Sequence, residues 1–174
     1  CIQDDTLDID TLAIFDIEYL FMRIRALSVN NIVSVSYRDG EDEKSYDFQL
    51  DLNTIEVKFP EKSEKNIKID GDINITLRYP SAKDYSKLEN MSYDDLLNAS
   101  IETVFEGDKA YQFADASEEE KKYFVDNMPI ESSNKIKEFL NNMPSLWHEI
   151  KYKNSLGNDR TITLSNLNDF FDLR

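Results

Sequence analysis

Cysteine, histidine, glycine and proline are all scarce in this chain of 174 residues, which holds one Cys, one His, four Gly and four Pro. The single Cys, at position 1, excludes an internal disulfide framework and a zinc site built from several cysteines. The lone His148 cannot form a His-rich metal site, and its place between Trp147 and Glu149 is typical of a structural residue. So few Gly and Pro exclude collagen-like and low-complexity sequence.

Basic residues are outnumbered, because 20 Lys and Arg against 35 Asp and Glu give a formal charge of 20 − 35 = −15. This balance argues against nucleic acid and against an anionic membrane surface as partners, since both bind through Lys and Arg. No apolar run is long enough to span a bilayer and no secretory signal opens the chain, so we expect a soluble intracellular protein. A hydrophobic content of 40% excludes a disordered acidic tail.

The densest apolar segment runs from Leu12 to Leu27 and follows Asp8 and Asp10, which suit a helix start. It predicts a helix over Asp10 to Leu27 that is apolar on more than one side. One stripe comprises Ile9, Leu12, Leu20, Ile24 and Leu27, and a second comprises Ile14, Ile17 and Phe21. We expect this helix to be central and the most buried element. The alternative is that one stripe is kept for a partner protein.

After Asn31 the apolar period changes to two, which is typical of strands. Strands are predicted at residues 33–38, 46–52, 55–59, 67–69 and 73–79. Asp39-Gly40 between the first two is a hairpin signal, and Asp70-Gly71 predicts another turn. The first half therefore predicts a helix followed by an antiparallel meander.

The second half alternates helix and strand patterns. Helices are predicted at residues 92–104, 117–128, 133–140 and 167–171, the first three capped by Ser92, Ser117 and Ser133. Strands are predicted at residues 110–113, 146–153 and 162–164, the last two joined by a turn at 154–159.

These elements predict an α+β fold with a central buried N-terminal helix, antiparallel meander and hairpins, and a helical second half with a C-terminal hairpin. We expect residues 1–174 to form a single compact unit; an alternative boundary separates residues 1–80 from residues 81–174. Tyr37 to Leu52 and Tyr152 to Leu167 have the same length and layout. We interpret that likeness as coincidence or a common hairpin pattern rather than duplication.

Five acidic residues lie in the predicted turn from Asp39 to Asp47. They lack the spacing of an EF-hand, so we interpret them as a solvated hairpin tip, with Ca²⁺ binding as the alternative. No Walker loop or G-x-G-x-x-G motif is present. Carboxylates are so abundant that a paired-acid site cannot be judged by counting, and we predict no catalytic, cofactor-binding or metal-binding residues.

Aromatic residues are plentiful, with nine Tyr, ten Phe and one Trp. Most must fill the core, and any that cluster on the surface would anchor a protein partner. The terminal Phe170 and Phe171 are candidates because chain ends are often exposed, although both side chains could instead dock inward. The predicted partner-binding residues are Ile14, Ile17, Phe21, Phe170 and Phe171.

Four segments in order resemble a known family: Phe15-Asp-Ile-Glu-Tyr-Leu-Phe21, Ile24-Arg-Ala-Leu-Ser-Val29, Leu77-Arg-Tyr-Pro-Ser81 and Leu167-Asn-Asp-Phe-Phe171. The set is similar to the baseplate hub assembly proteins of T-even-type tailed bacteriophages, from about Leu7 to Phe171. Members of that family have a further N-terminal segment, which agrees with a chain that begins at Cys1. Some relatives carry Cys pairs at the two hairpins, but none occurs here at Tyr37–Tyr46 or Tyr152–Arg160. We therefore expect no metal.

The resemblance implies a late viral protein without enzymatic activity that acts in the host cytoplasm. We expect an assembly chaperone that binds other baseplate hub proteins and shields a surface until further subunits arrive. The first alternative is a permanent structural subunit of the hub, located in the virion. The second is a carboxylate-dependent hydrolase, which two close carboxylates with shifted pKa values in a cleft would favour. The oligomeric state is left open.

Overall fold

The computed structural model describes residues 7–86 and 92–171, and confirms the α+β class. Within those ranges the α-helices are α1 (Ile14–Ser28), α2 (Ala82–Ser86), α3 (Tyr93–Ser100), α4 (Glu118–Asp126) and α5 (Ile130–Asn141). The strands are β1 (Ile32–Arg38), β2 (Ser45–Asp51), β3 (Glu56–Lys58), β4 (Asn66–Asp70), β5 (Ile73–Leu77), β6 (Ile101–Glu106), β7 (Lys109–Gln112), β8 (Ser145–Lys153) and β9 (Asp159–Leu164). Short 3₁₀ helices lie at Ile9–Thr11, Leu52–Thr54, Phe113–Asp115 and Leu167–Phe170.

The chain forms two compact units, each assembled from two separate stretches of sequence. The hairpin unit comprises the described parts of residues 15–59 and 144–174, and the four-stranded unit those of residues 1–14 and 60–143. This division differs from a boundary at residue 80, because β3 pairs with β8 and so joins the last third of the chain to residues 15–59. Sequence patterns are local and cannot predict such a long-range pairing.

The hairpin unit contains the β1–β2 hairpin and a three-stranded sheet in the order β3-β8-β9. Alternation along the strands directs every second side chain inward, as with Val35 on β1 and Leu50 on β2. One buried cluster joins α1, both sheets and the terminal 3₁₀ helix, and consists of Met22, Val35, Leu50, Leu52, Ile55, Leu146, Ile150, Ile162, Leu164 and Phe170. Both predicted hairpins are confirmed.

Helix α1 is confirmed as a helix, but its predicted burial is wrong. Only Phe15 and Met22 are buried, while Tyr19 and Ala26 pack partly against the core. The buried face therefore belongs to neither predicted stripe. The reason is physical: a helix that is apolar almost all round has no strong periodicity, so the pattern cannot tell which face the rest of the unit will cover.

The four-stranded unit is an antiparallel meander, β4-β5-β6-β7. Its core is filled from the sheet, α3, α5 and the 3₁₀ helix that follows β7, by Ile67, Ile75, Leu77, Leu97, Ile101, Phe113, Ile136, Phe139 and Leu140. Capping boxes start α3 at Ser92 with Asp95 and α4 at Ser117 with Glu120. Both capping boxes confirm the predicted caps at Ser92 and Ser117.

Two predicted boundaries in this unit are wrong. The helix expected at 92–104 ends at Ser100, because β-branched Ile101, Thr103 and Val104 continue as β6 and pair with β5. The helix expected to begin at Ser133 begins at Ile130 instead. Pro129 is its N-cap, where a fixed φ and a missing N–H are tolerated. Among the described residues, no helix combines the length and the apolar character needed to cross a membrane.

Candidate functional site

The structure separates the five predicted partner-binding residues by exposure. Phe21 is 49% exposed and Phe171 is 44% exposed, while Ile14 and Ile17 are half-buried. Phe170 is fully buried in the core of the hairpin unit, so its side chain is not available to a partner. The terminal pair therefore points in opposite directions, and only Phe171 lies at the surface.

Phe21 and Phe171 contact each other at the surface, with ring centroids 6.2 Å apart and planes at 85°. This edge-to-face geometry is favoured for aromatic pairs. The chain end reaches α1 because the 3₁₀ helix Leu167–Phe170 is capped by Asn166 and Asp169 and buries Phe170. The next residue then projects outward beside Phe21. The structure thus brings together two predicted residues that lie 150 positions apart (171 − 21).

Further apolar side chains extend this surface along α1. At about 100° per residue, the side opposite Phe15 and Met22 holds an apolar row that includes both predicted stripes in part. We call this surface the outer face of α1 and define it as Ile17, Phe21, Ile24 and Leu27 together with Phe171, all within the hairpin unit. Within it, Leu27 is 83% exposed and Ile24 is also exposed. Exposed aromatic and aliphatic side chains in one row are typical of protein-binding surfaces.

The sequence predicted that the acidic turn after β1 is a solvated tip, but the structure shows that part of it is buried. Asp39 is fully buried, accepts a hydrogen bond from the Tyr152 hydroxyl, and accepts another from Glu41 N at 2.8 Å. Arg160 Nε lies 3.3 Å from Asp39 Oδ2. The Tyr152 hydrogen bond, and then the Glu41 N–H, hold the pKa of Asp39 below its ordinary value. The carboxylate is therefore a structural acceptor.

The other acidic side chains of the turn bind the β8–β9 turn. Glu41 accepts hydrogen bonds from Asn154 Nδ2 and Asn158 Nδ2, both at 2.7 Å. Asp42 Oδ2 accepts from Ser155 N at 2.9 Å and Ser155 Oγ at 2.8 Å. We call these contacts, with the Asp39–Tyr152 bond, the clasp. The clasp joins two turns that lie more than 100 residues apart in the sequence. The carboxylates of Asp39, Glu41 and Asp42, which were expected to face solvent, are its acceptors.

Aromatic rings enclose the clasp on one side. The Tyr152 ring lies 4.9 Å from Tyr46, 5.2 Å from Phe48 and 6.4 Å from Tyr37, measured between centroids. Burial, and then the hydrogen bond to Asp39, raise the pKa of Tyr152 to about 12. In the sequence, the pairing of the two turns was indicated only by the matching layout of the two hairpins. Asp39 and Asn154 follow Tyr37 and Tyr152 by two residues, and each accepts an N–H from the residue two further on.

Metal binding receives no support from the geometry of the acidic turn. Within residues 7–86 and 92–171, no three His, Cys, Asp or Glu side chains are grouped so that they could hold a metal ion. The turn's carboxylates face Tyr, Asn, Ser and Arg donors instead. The clasp is thus a structural element, and the outer face of α1 is the stronger candidate for function.

Comparison with known proteins gives one family. Residues 1–172 match the family model described as T4 bacteriophage base plate protein. No curated protein and no solved structure matches the chain significantly. The family match takes in nearly the whole sequence and therefore applies to both units.

Proposed function

The chain belongs to the T4 bacteriophage base plate protein family, and we propose that it is a nonenzymatic assembly factor that binds other proteins of the baseplate hub. A family of baseplate proteins implies protein partners from the same structure. The observation that carries the proposal is the outer face of α1, where Phe21 and Phe171 form an exposed edge-to-face pair. A helix face of this kind fits a groove or helix on a partner.

The carboxylates with lowered pKa values are occupied by contacts within the fold. Those whose pKa is lowered lie in helix caps, an ion pair, turns and the clasp, and each accepts hydrogen bonds from its own chain. Asp84, for example, lies 2.7 Å from Arg78 Nη1 and accepts a hydrogen bond from Ser81 N. Burial tends to raise the pKa of Asp84, but the bonds from Arg78 and Ser81 hold it below its ordinary value. Such groups stabilise the fold rather than exchange protons with a substrate.

The proposed mode of action is that of a chaperone in the host cytoplasm. The factor covers an apolar assembly surface of a hub protein through the outer face of α1. Its formal charge of −15 keeps the complex in solution until the next subunit replaces it. The charge and the apolar face therefore act together, one against aggregation and the other in binding.

A second candidate is a permanent subunit of the baseplate hub, with which the family description is equally compatible. The two differ in where the protein ends up. Quantitative mass spectrometry of purified phage particles separates them, because a departing chaperone is absent from mature particles or far below the hub proteins in amount. Stoichiometric presence in the particle would instead establish the permanent subunit.

Co-expression tests the binding that both candidates share. The chain carries an affinity tag and is produced together with each of the other hub proteins, and retention and solubility of each are measured. We expect at least one hub protein to be retained and to become more soluble than when it is produced alone. If no hub protein is retained or made more soluble, the proposed function is wrong.

A further inference from the structure

The two edges of the four-stranded sheet are treated differently by the fold. On the β4 edge, buried Ser132 of α5 donates a hydrogen bond from its Oγ to the carbonyl oxygen of Lys68 at 3.2 Å. Helix α5 thus covers that edge. On the other side, β7 pairs only with β6 among the described strands, and all four of its residues are exposed. An uncovered strand edge can accept a further strand.

The turn before β7 determines which backbone groups face outward. Gly107 has φ +58° and Asp108 is not left-handed, which is typical of a two-residue type II′ hairpin. The flanking residues, Glu106 and Lys109, then exchange hydrogen bonds with each other. Since alternate residues face opposite ways, Ala110 directs its N–H and C=O away from β6, and Gln112 directs its N–H the same way. These groups are available to an added strand.

An apolar groove lies beside this edge. It is lined by Ala110, Tyr111, Gln112, Phe113, Asp115, Ala116, Glu120 and Phe124. Phe113 and Phe124 form its floor in edge-to-face contact, with centroids 5.7 Å apart. Tyr111 is exposed at the rim. The groove can therefore receive side chains from one face of an added strand while the backbone pairs with β7.

Charge indicates what the added strand would carry. Residues 102–122 contain seven carboxylates and three basic residues: Glu102, Glu106, Asp108, Asp115, Glu118, Glu119 and Glu120 against Lys109, Lys121 and Lys122. Lys121 pairs with Glu118, and the region keeps an excess of four carboxylates (7 − 3). A basic segment is attracted to this region. A second copy of the chain is repelled, because each copy has a formal charge of −15.

We propose that the β7 edge binds an extended segment of a partner protein in which Lys or Arg alternates with apolar residues. The segment pairs with Ala110 and Gln112 as a fifth strand of the sheet. Its apolar side chains fill the groove over Phe113 and Phe124, and its basic side chains face the surrounding carboxylates. This surface shares no residue with the outer face of α1, so it constitutes a second, separate interface.

The test uses a synthetic probe, the peptide acetyl-Lys-Leu-Lys-Val-Arg-Leu-amide, titrated into the full chain and followed by amide NMR. We expect shift changes centred on Ala110 to Phe113 and on Phe124, and slower hydrogen exchange at the Ala110 amide. A peptide with Glu in place of Lys and Arg should not bind. Absence of binding by the basic peptide, equal binding of the acidic one, or shifts confined to other surfaces would overturn the proposal.

Two changes isolate the backbone pairing. Ala110→Pro removes an outward N–H and leaves the bonds to β6 intact, since proline is tolerated where a strand faces outward. It should lower the affinity for the peptide about tenfold, as expected for the loss of one or two hydrogen bonds. Ala110→Ser keeps the N–H and should leave the affinity unchanged. The same loss is expected for wild-type protein when alternate peptide amides are N-methylated, which gives a test that does not depend on folding of the proline variant. If the proline variant folds and binds as tightly as Ala110→Ser, or if N-methylation has no effect, the proposed strand pairing is wrong.

Discussion

The hydroxyl of Tyr152 donates a hydrogen bond to the buried carboxylate of Asp39, joining residues 113 positions apart in the sequence. A buried carboxylate is costly unless donors surround it, and here Tyr152, Glu41 N–H and Arg160 supply them. The β1–β2 turn and the β8–β9 turn are therefore held together by polar contacts. The same feature makes the stability of the hairpin unit sensitive to single substitutions and to pH.

Replacing Tyr152 with Phe removes the hydroxyl but keeps most of the ring contacts. We expect a thermal unfolding midpoint a few degrees lower, because Asp39 loses a donor while it stays buried. We also expect the pKa of Asp39 to move up toward its ordinary value, measured by carboxyl-carbon NMR. Tyr111→Phe, on exposed β7, is the matched control and should change neither quantity. An unchanged Asp39 pKa in Tyr152→Phe would contradict the hydrogen bond.

Stability should fall at both ends of the pH range. Asp39 and Asp42 have lowered pKa values in the folded chain, so their contribution is complete above about pH 4, the unfolded value, and is lost as pH falls through the folded values. Tyr152 is shifted in the opposite direction, to about 12. Its contribution is complete below about pH 10, the unfolded value, and is lost as pH rises toward about 12. Denaturant unfolding at a series of pH values measures both limbs, and Tyr152→Phe should flatten the alkaline one. Greater stability at about pH 3 than at pH 6 would contradict the assignment.

Two substitutions on α1 test which face is buried. Met22 is fully buried, so Met22→Ala should lower the free energy of unfolding by about 2–5 kcal/mol. Leu27 is 83% exposed, so Leu27→Ala should change it by less than about 0.5 kcal/mol. Urea unfolding followed by far-UV circular dichroism gives both values. Equal losses in the two variants would mean that α1 is covered on both sides.

The adjacent residues Phe170 and Phe171 should respond in opposite ways. Phe170→Ala leaves a cavity in the core of the hairpin unit and should cost about 3–5 kcal/mol. Phe171→Ala removes a half-exposed ring and should cost far less, with its effect appearing in partner binding. Calorimetry of both variants measures the difference. If Phe171→Ala lost more free energy of unfolding than Phe170→Ala, the assignment of Phe170 to the core and Phe171 to the surface would be wrong.

The hairpins and capped helices could be predicted from sequence because their signals are local. Alternation at Val33, Val35 and Tyr37 defines β1, and Ser117 with Glu120 marks the start of α4. The burial of Asp39 could not be predicted, since its donors Tyr152 and Arg160 come from the other end of the chain. The exposed aromatic pair was predicted only in part: Phe21 and Phe171 were both candidates, but nothing local shows that Phe170 turns inward.

The central claim is that the outer face of α1 binds a hub protein, and pull-down with a double variant tests it most directly. Tagged chain carrying Phe21→Ala and Phe171→Ala is co-expressed with the hub protein that the wild type retains. Ile130→Ala, an exposed apolar residue in the four-stranded unit, serves as control. We predict that the double variant folds as the wild type does but retains at least about tenfold less hub protein, as expected when two aromatic anchors are lost, while Ile130→Ala retains the wild-type amount. Equal retention by the folded double variant would contradict the claim that this face binds the hub.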